Sequence, residues 1–154
     1  MSREKDIHEF VKASNLIEGI KREPYPQETE MVEAFLALPE ITIADVASAV
    51  SVFEPGALLR NQYGMNVRVG CHIPPSGSPR VAELLGDIVA MANDLEDIHM
   101  VHCEFQLLHP FTDGNGRSGR LIWLWMMMKR NGGFFPERGF LHEFYYQALA
   151  AHRG

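Results

Sequence analysis

His109-Pro110-Phe111-Thr112-Asp113-Gly114-Asn115-Gly116-Arg117-Ser118-Gly119-Arg120 is the stretch on which the reading of this 154-residue chain turns. It brings together a titratable base, a carboxylate, an amide, three glycines and two guanidiniums, and runs straight into the apolar segment Leu121–Met128. Glycines on both sides of Asn115 permit a tight turn and let backbone N–H groups approach something bulky and anionic. A helix beginning just after the loop would aim its unpaired N–H groups and positive dipole end at the same anion. Arg117 and Arg120 are three residues apart, so from a first helical turn both reach one side. The pattern predicts a phosphate cradle, with His109 as a base on its rim and Asp113 as a metal ligand in its floor. His109 suits that role because an ordinary imidazole, with a pKa of about 6.5, is mostly neutral at pH 7.

The same residues resemble the H-x-F-x-[D/E]-G-N-G-R-x-x-R motif of Fic-domain proteins, with every defining position present. The resemblance implies an α-helical bundle with a small β-hairpin flap over the active site. It also implies an adenylyltransferase that moves AMP from ATP, with Mg²⁺, onto a serine, threonine or tyrosine hydroxyl of a target protein. His109 would be the general base and Asp113 the Mg²⁺ ligand. Phe111, Gly114, Asn115, Gly116, Arg117 and Arg120 would form the nucleotide site. Within it, Asn115 and its flanking N–H groups would hold the α- and β-phosphates and the arginines the β/γ portion; Phe111 packs beneath the loop. Other nucleotide donors, and phosphate itself as in the related Doc toxins, are rivals within the enzyme class. Doc-type sequences usually carry Ala-Asn-Lys where this chain has Gly114-Asn115-Gly116-Arg117, which favours nucleotidyl transfer. A non-catalytic nucleotide-binding module is the rival from another class, and the intact His109 argues against it. His99, His102, Cys103 and His109 offer zinc-type ligands, but a zinc site leaves the glycine-rich loop without a purpose. A P-loop is excluded by the missing Gly-Lys-[Ser/Thr].

A second stretch, Ser14-Asn15-Leu16-Ile17-Glu18-Gly19, closes an expected helix over 2–18 whose inner stripe is Ile7, Phe10 and Val11. Ser14 and Glu18 are four apart and share a face, which puts a carboxylate at the end of an apolar stripe. The run resembles the [S/T]-x-x-x-E-[G/N] inhibitory motif that accompanies many Fic domains, in the class where it precedes the core. Ser14 and Glu18 are thus expected to be inhibitory, with Glu18 paired to Arg120 where the γ-phosphate should sit. Bifunctional removal of AMP is a refinement of the same reading.

Between these stretches the pattern predicts helices over 29–38, 43–53, 80–96 and 98–108, the last delivering His109. Glu23–Gln27 and Ile73–Pro79 read as proline-rich breaks. Asn66–Gly70 alternates like a short strand, and Val67, Arg68, Val69 and Gly70, followed by Pro74-Pro75, resemble the family's flap. Such a flap would align an unknown protein target by strand addition. A Leu-His found earlier in many family cores has no clear match near Val46–Val52. Leu121–Lys129 is apolar all round, which predicts a central buried helix, and Phe140–Ala151 reads as a last helix. The whole chain, 1–154, is expected to be one domain, with 1–20 the inhibitory helix and 40–130 the core. A net charge of −6 argues against general nucleic-acid binding. Two cysteines, no N-terminal leader pattern and no long apolar run point to a cytoplasmic protein off the membrane, of open oligomeric state.

Overall fold

The structure, a computed structural model, describes residues 2–136; the helix expected over 140–151 lies outside the described residues. Among the described residues six helices account for the regular structure: α1 (Arg3–Ile17), α2 (Pro26–Leu36), α3 (Ile43–Phe53), α4 (Pro79–Asn93), α5 (Ile98–Leu108) and α6 (Asn115–Arg130). Among the described residues β structure is confined to two isolated bridges, Leu59 with Phe111 and Val69 with His72. At the second, Val69 and His72 exchange backbone bonds of 3.0 and 2.9 Å around Gly70, whose φ of 58° is a conformation glycine adopts freely. A strand ladder over Asn66–Gly70 is not formed.

Helix starts follow local chemistry. Ser2, Thr42, Ser78 and Asp97 each accept a first-turn N–H, as N-caps do. Pro26 and Pro79, read from sequence as parts of breaks, sit in the first turns of α2 and α4, where a missing N–H costs nothing. α6 begins at Asn115, inside the motif, six residues before its apolar run.

α6 is the axis of the bundle. Leu121, Leu124 and Met126 are fully buried, and Trp125 keeps its indole N–H satisfied by donating to the Leu38 carbonyl at 2.9 Å. Around it pack Ile7 and Val11 of α1, Val32 and Phe35 of α2, Val46 and Val50 of α3, and Val101 and Phe105 of α5. Gly119 allows α5 to lie close, since a Cβ there would stand 2.1 Å from Gln106 Nε2 and 3.1 Å from the Phe105 ring. The bundle thereby holds the C-terminus of α5, the N-terminus of α6 and the C-terminal end of α1 at one place. Among the described residues no helix is long and apolar enough to cross a membrane.

Candidate active site at the start of helix α6

Between α5 and α6 the chain makes two left-handed corners. His109 caps α5 at φ 50°, ψ 61°, and Gly114 opens α6 at φ 77°. Asn115 closes the loop between them: its amide oxygen accepts from the Phe111 N–H at 2.9 Å, and its Nδ2 donates to the Phe111 carbonyl at 2.8 Å. The side chain expected to hold phosphate thus also braces the loop, using one of the two N–H groups of its amide to do so. Phe111 is buried in the core, where it supports the loop and does not line the pocket. Because the cap of α6 is glycine, no side-chain cap bond ties up the N–H groups of its first turn. Gly114, Asn115, Gly116 and Arg117 line a pocket of about 300 Å³ together with His109, Asp113, Glu18, Ile20 and Glu54.

The two motif arginines are buried and already engaged. Arg120 donates from Nε to Ser14 Oγ at 2.8 Å, and from Nη2 to the Ser14 carbonyl at 3.0 Å and Glu18 Oε1 at 2.8 Å. Glu18 also stands over the helix start, since a Cβ on Gly116 would lie only 2.3 Å from its Oε1. Arg117 pairs with Glu54 at the end of α3, leans toward Asn15 Oδ1 at 3.4 Å, and lies over the Phe53 ring. Its Nε is buried without a hydrogen-bond partner. Asn15 is itself buried and reaches the buried Glu28 of α2, which Arg22 and the Tyr25 N–H hold in place. Burial alone would raise the Glu28 carboxyl, but these donors outweigh it and keep it below its ordinary value.

His109 is half buried. Its pKa is pushed down to about 4, first by burial and then by the charges of Arg60 and His72, against a weaker upward pull from Asp113 and Glu18. The imidazole is therefore neutral at pH 7. Asp113 is exposed on the rim, with one carboxylate oxygen accepting from the Gly114 N–H at 2.8 Å. Among the described residues no cluster of three or more His, Cys, Asp or Glu side chains could hold a metal alone. His99 pairs with Cys103 at 3.6 Å, and His102 is buried near the Gly119 carbonyl, away from the pocket lining. Val67, Arg68, Val69 and Gly70 lie on the loop 57–78, outside the pocket lining, with Val69 42% exposed.

Two residues of this site do more than the sequence reading gives them. Glu54 pairs with Arg117 from 63 residues away, and nothing around it in sequence marks that contact. Arg60 closes Pro-Gly-Ala-Leu-Leu-Arg, a run similar to the one before the family's flap; the structure shows it fully buried and bonded to the carbonyls of Leu108 and His109.

Fold and pocket define an α-helical protein in which the glycine-capped start of α6 and a half-buried histidine line one pocket. Residues 32–127 match the model of the Fic/DOC family, and the chain belongs to that family. It is 41% identical over 70 residues to the protein adenylyltransferase fic-1 of Caenorhabditis elegans, covering 40% of this chain and 13% of that protein. The protein adenylyltransferase Fic of Drosophila erecta is 34% identical over 105 residues, covering 58% of this chain and 20% of that one. The chain thus spans a fifth or less of these relatives. A Fic family protein from Desulfovibrio desulfuricans shares the fold, with a TM-score of 0.51 at 22% identity over 84% of this chain and 46% of that one.

Proposed function

We propose that this chain is an adenylyltransferase domain held in an inhibited form by its own α1. The reaction would move AMP from ATP to a serine, threonine or tyrosine hydroxyl of a target protein. The observation that carries this reading is the placement of a neutral His109 and the uncapped start of α6 on one pocket, with Glu18 bound to Arg120 at its edge. Neutral imidazole can accept a proton. His109 would take it from the incoming hydroxyl as that oxygen attacks the α-phosphorus, and pyrophosphate leaves with the electron pair of the broken P–O bond. The amides and dipole of α6 would neutralise the α- and β-phosphates, while Arg120 and Arg117 would do so further out. The buried, unpartnered Nε of Arg117 is a donor that such an oxygen would satisfy.

The residues present fit Mg²⁺. Asp113 offers a rim carboxylate beside the helix start, and Mg²⁺ commonly binds through one or two carboxylates plus substrate phosphates. When bound, it would supply charge neutralisation to the phosphates. The target would lie along the loop 57–78 as an extended segment.

Inhibition follows from competition. While Glu18 holds Arg120, the outer phosphates lose that partner and the α-phosphorus is not aligned for attack, so geometry is lost more than affinity. The same carboxylate over the cradle favours a second activity, orientation of a water that removes AMP.

Glu18→Gly incubated with α-labelled ATP and Mg²⁺ should acquire AMP on itself or on added protein, well above the parent chain, and intact mass should show the added AMP. His109→Ala in that background should lose it by about 10²-fold or more. If Glu18→Gly stays unlabelled, or labels equally without His109, the reading is wrong.

A further inference from the structure

We propose that Arg60 is the positioning residue of this site: it fixes the corner that presents the His109 imidazole and ties it to the loop carrying Val67–Gly70. The inference rests on the reading of His109 as base given above.

Arg60 is 0% exposed and, among the described residues, is paired with no carboxylate. A buried guanidinium is normally held by an acid, since burial disfavours its charge. Arg60 is held by four carbonyls instead. Nε donates to His109 at 2.7 Å, Nη2 to Leu108 at 2.8 Å, and Nη1 to Met65 at 3.1 Å and Pro75 at 2.8 Å. Its backbone joins the same seam, with the N–H donating to the Pro110 carbonyl at 2.9 Å and the carbonyl accepting from Ser78 at 3.1 Å.

These contacts sort into two groups. Leu108 and His109 carry terminal carbonyls of α5, whose negative dipole end favours a cation. Met65 and Pro75 belong to the two arms of the loop 57–78. One rigid fork therefore clamps both arms of the loop to the residue bearing the base.

The clamp falls where the backbone needs holding. His109 has a φ of 50°, which residues other than glycine adopt rarely, and Pro110 further narrows the choices of the residue before it. Such a conformation persists when the surroundings over-determine it. Arg60 gripping the carbonyl on one side and the Pro110 peptide on the other does so.

The guanidinium has an electrostatic effect as well. The charged or titratable groups that act on the imidazole are Arg60 and His72, which oppose its protonation, and Asp113 and Glu18, which favour it. Arg60 is the strongest of the two opposing charges. Lysine at 60 would keep the charge but lose the fork; glutamine would keep a hydrogen-bonding amide but lose the charge.

The test uses ring-labelled histidine NMR on the parent chain, Arg60→Lys and Arg60→Gln, with the His109 signal assigned by its loss in His109→Asn. AMP transfer is measured on both variants in the Glu18→Gly background. Arg60→Gln should move the His109 titration up from about 4, though only in part because burial is the larger cause, while Arg60→Lys leaves it near 4. Both should lower kcat by about tenfold or more with KM for ATP within about twofold, the signature of a displaced base. Full kcat in Arg60→Lys, or an unmoved titration in Arg60→Gln, overturns the proposal. Should Arg60→Gln fail to fold, the kcat of Arg60→Lys decides alone. Should Glu18→Gly itself transfer no AMP, the reading of the reaction falls, and the histidine titration still decides the role of Arg60.

Discussion

Two buried guanidiniums bracket the site, and they are held in different ways. Among the described residues the Arg60 guanidinium bonds to backbone carbonyls alone, contributed by the end of α5 and the loop 57–78. Arg120 is bonded to the hydroxyl and carbonyl of Ser14 on α1 and to the carboxylate of Glu18, the residue that caps that helix. Carbonyls fixed in the fold cannot leave without unfolding it. Glu18 can: its side chain is 39% exposed and follows the end of a helix, so it can turn into water while another anion takes its place. The difference separates a scaffold arginine from an exchangeable one. It teaches that burial of the cation says little about its role, whereas the freedom of its partners says much.

The largest effect expected from this contrast is on stability. Arg60→Met leaves four carbonyls without their donor and should cost on the order of 4 kcal/mol in denaturant unfolding. Arg120→Met leaves the Ser14 groups and a carboxylate that can reach solvent, and should cost about 1 to 2 kcal/mol. Equal losses would erase the distinction.

Each guanidinium also sits near a histidine that the fold keeps neutral, which gives a second test. His102 is pushed down to about 4, first by burial; its contact with the Gly119 carbonyl works the other way, and the charge of Arg120 adds to the depression. A base whose folded pKa lies below its unfolded value of 6.5 binds protons in the unfolded chain first. Stability should therefore be flat above about pH 6.5 and fall by about 1.4 kcal/mol per pH unit for this group down to pH 4. His102→Gln, which can still donate to the Gly119 carbonyl, should remove that slope, and urea melts between pH 7 and 4.5 would measure it. An unchanged slope would mean that other groups carry the acid sensitivity.

Which of these features could be read from the chain depends on how local their causes are. α1, α3 and α5 were legible to within a residue or two because caps and apolar spacing lie inside each helix. Pro26 and Pro79 misled, since a proline that ends one segment is equally suited to begin a helix, and only the following turn decides. The apolar pattern marks α6 only from Leu121; the turn before it, read as helical from the spacing of Arg117 and Arg120, in fact opens at Asn115, where the residues are polar and give periodicity nothing to register. His109, Gly114, Gly116 and Arg120 could be picked out because the motif is contiguous. The bonds of Arg60 to His109 and of Glu54 to Arg117 could not: those partners are 49 and 63 residues away, and nothing near either residue in sequence marks the contact. The amide of Asn115 was legible as a site residue, but its bonds to Phe111 follow from the fold of the loop.

The smallest stability effect is expected where the functional effect should be clearest. Glu18→Gln keeps the shape of the side chain and removes its charge. Because the carboxylate is more than a third exposed, water screens its pairing with Arg120, and unfolding free energy should change by less than about 1 kcal/mol. Ser14 continues to hold Arg120 through its hydroxyl and carbonyl, so α1 stays docked. What changes is the competition over the helix start, where Glu18 stands above Gly116. A triphosphate no longer has a fixed negative charge to displace. Protection by ATP and Mg²⁺ in a thermal melt should then be larger for Glu18→Gln than for the parent, by about 1.4 kcal/mol for each tenfold gain in affinity. Equal protection would place the effect of Glu18 in the alignment of the phosphates alone. Protection lost in Glu18→Gln would mean that the carboxylate aids binding, and Arg120 would no longer count as the exchangeable member of the pair.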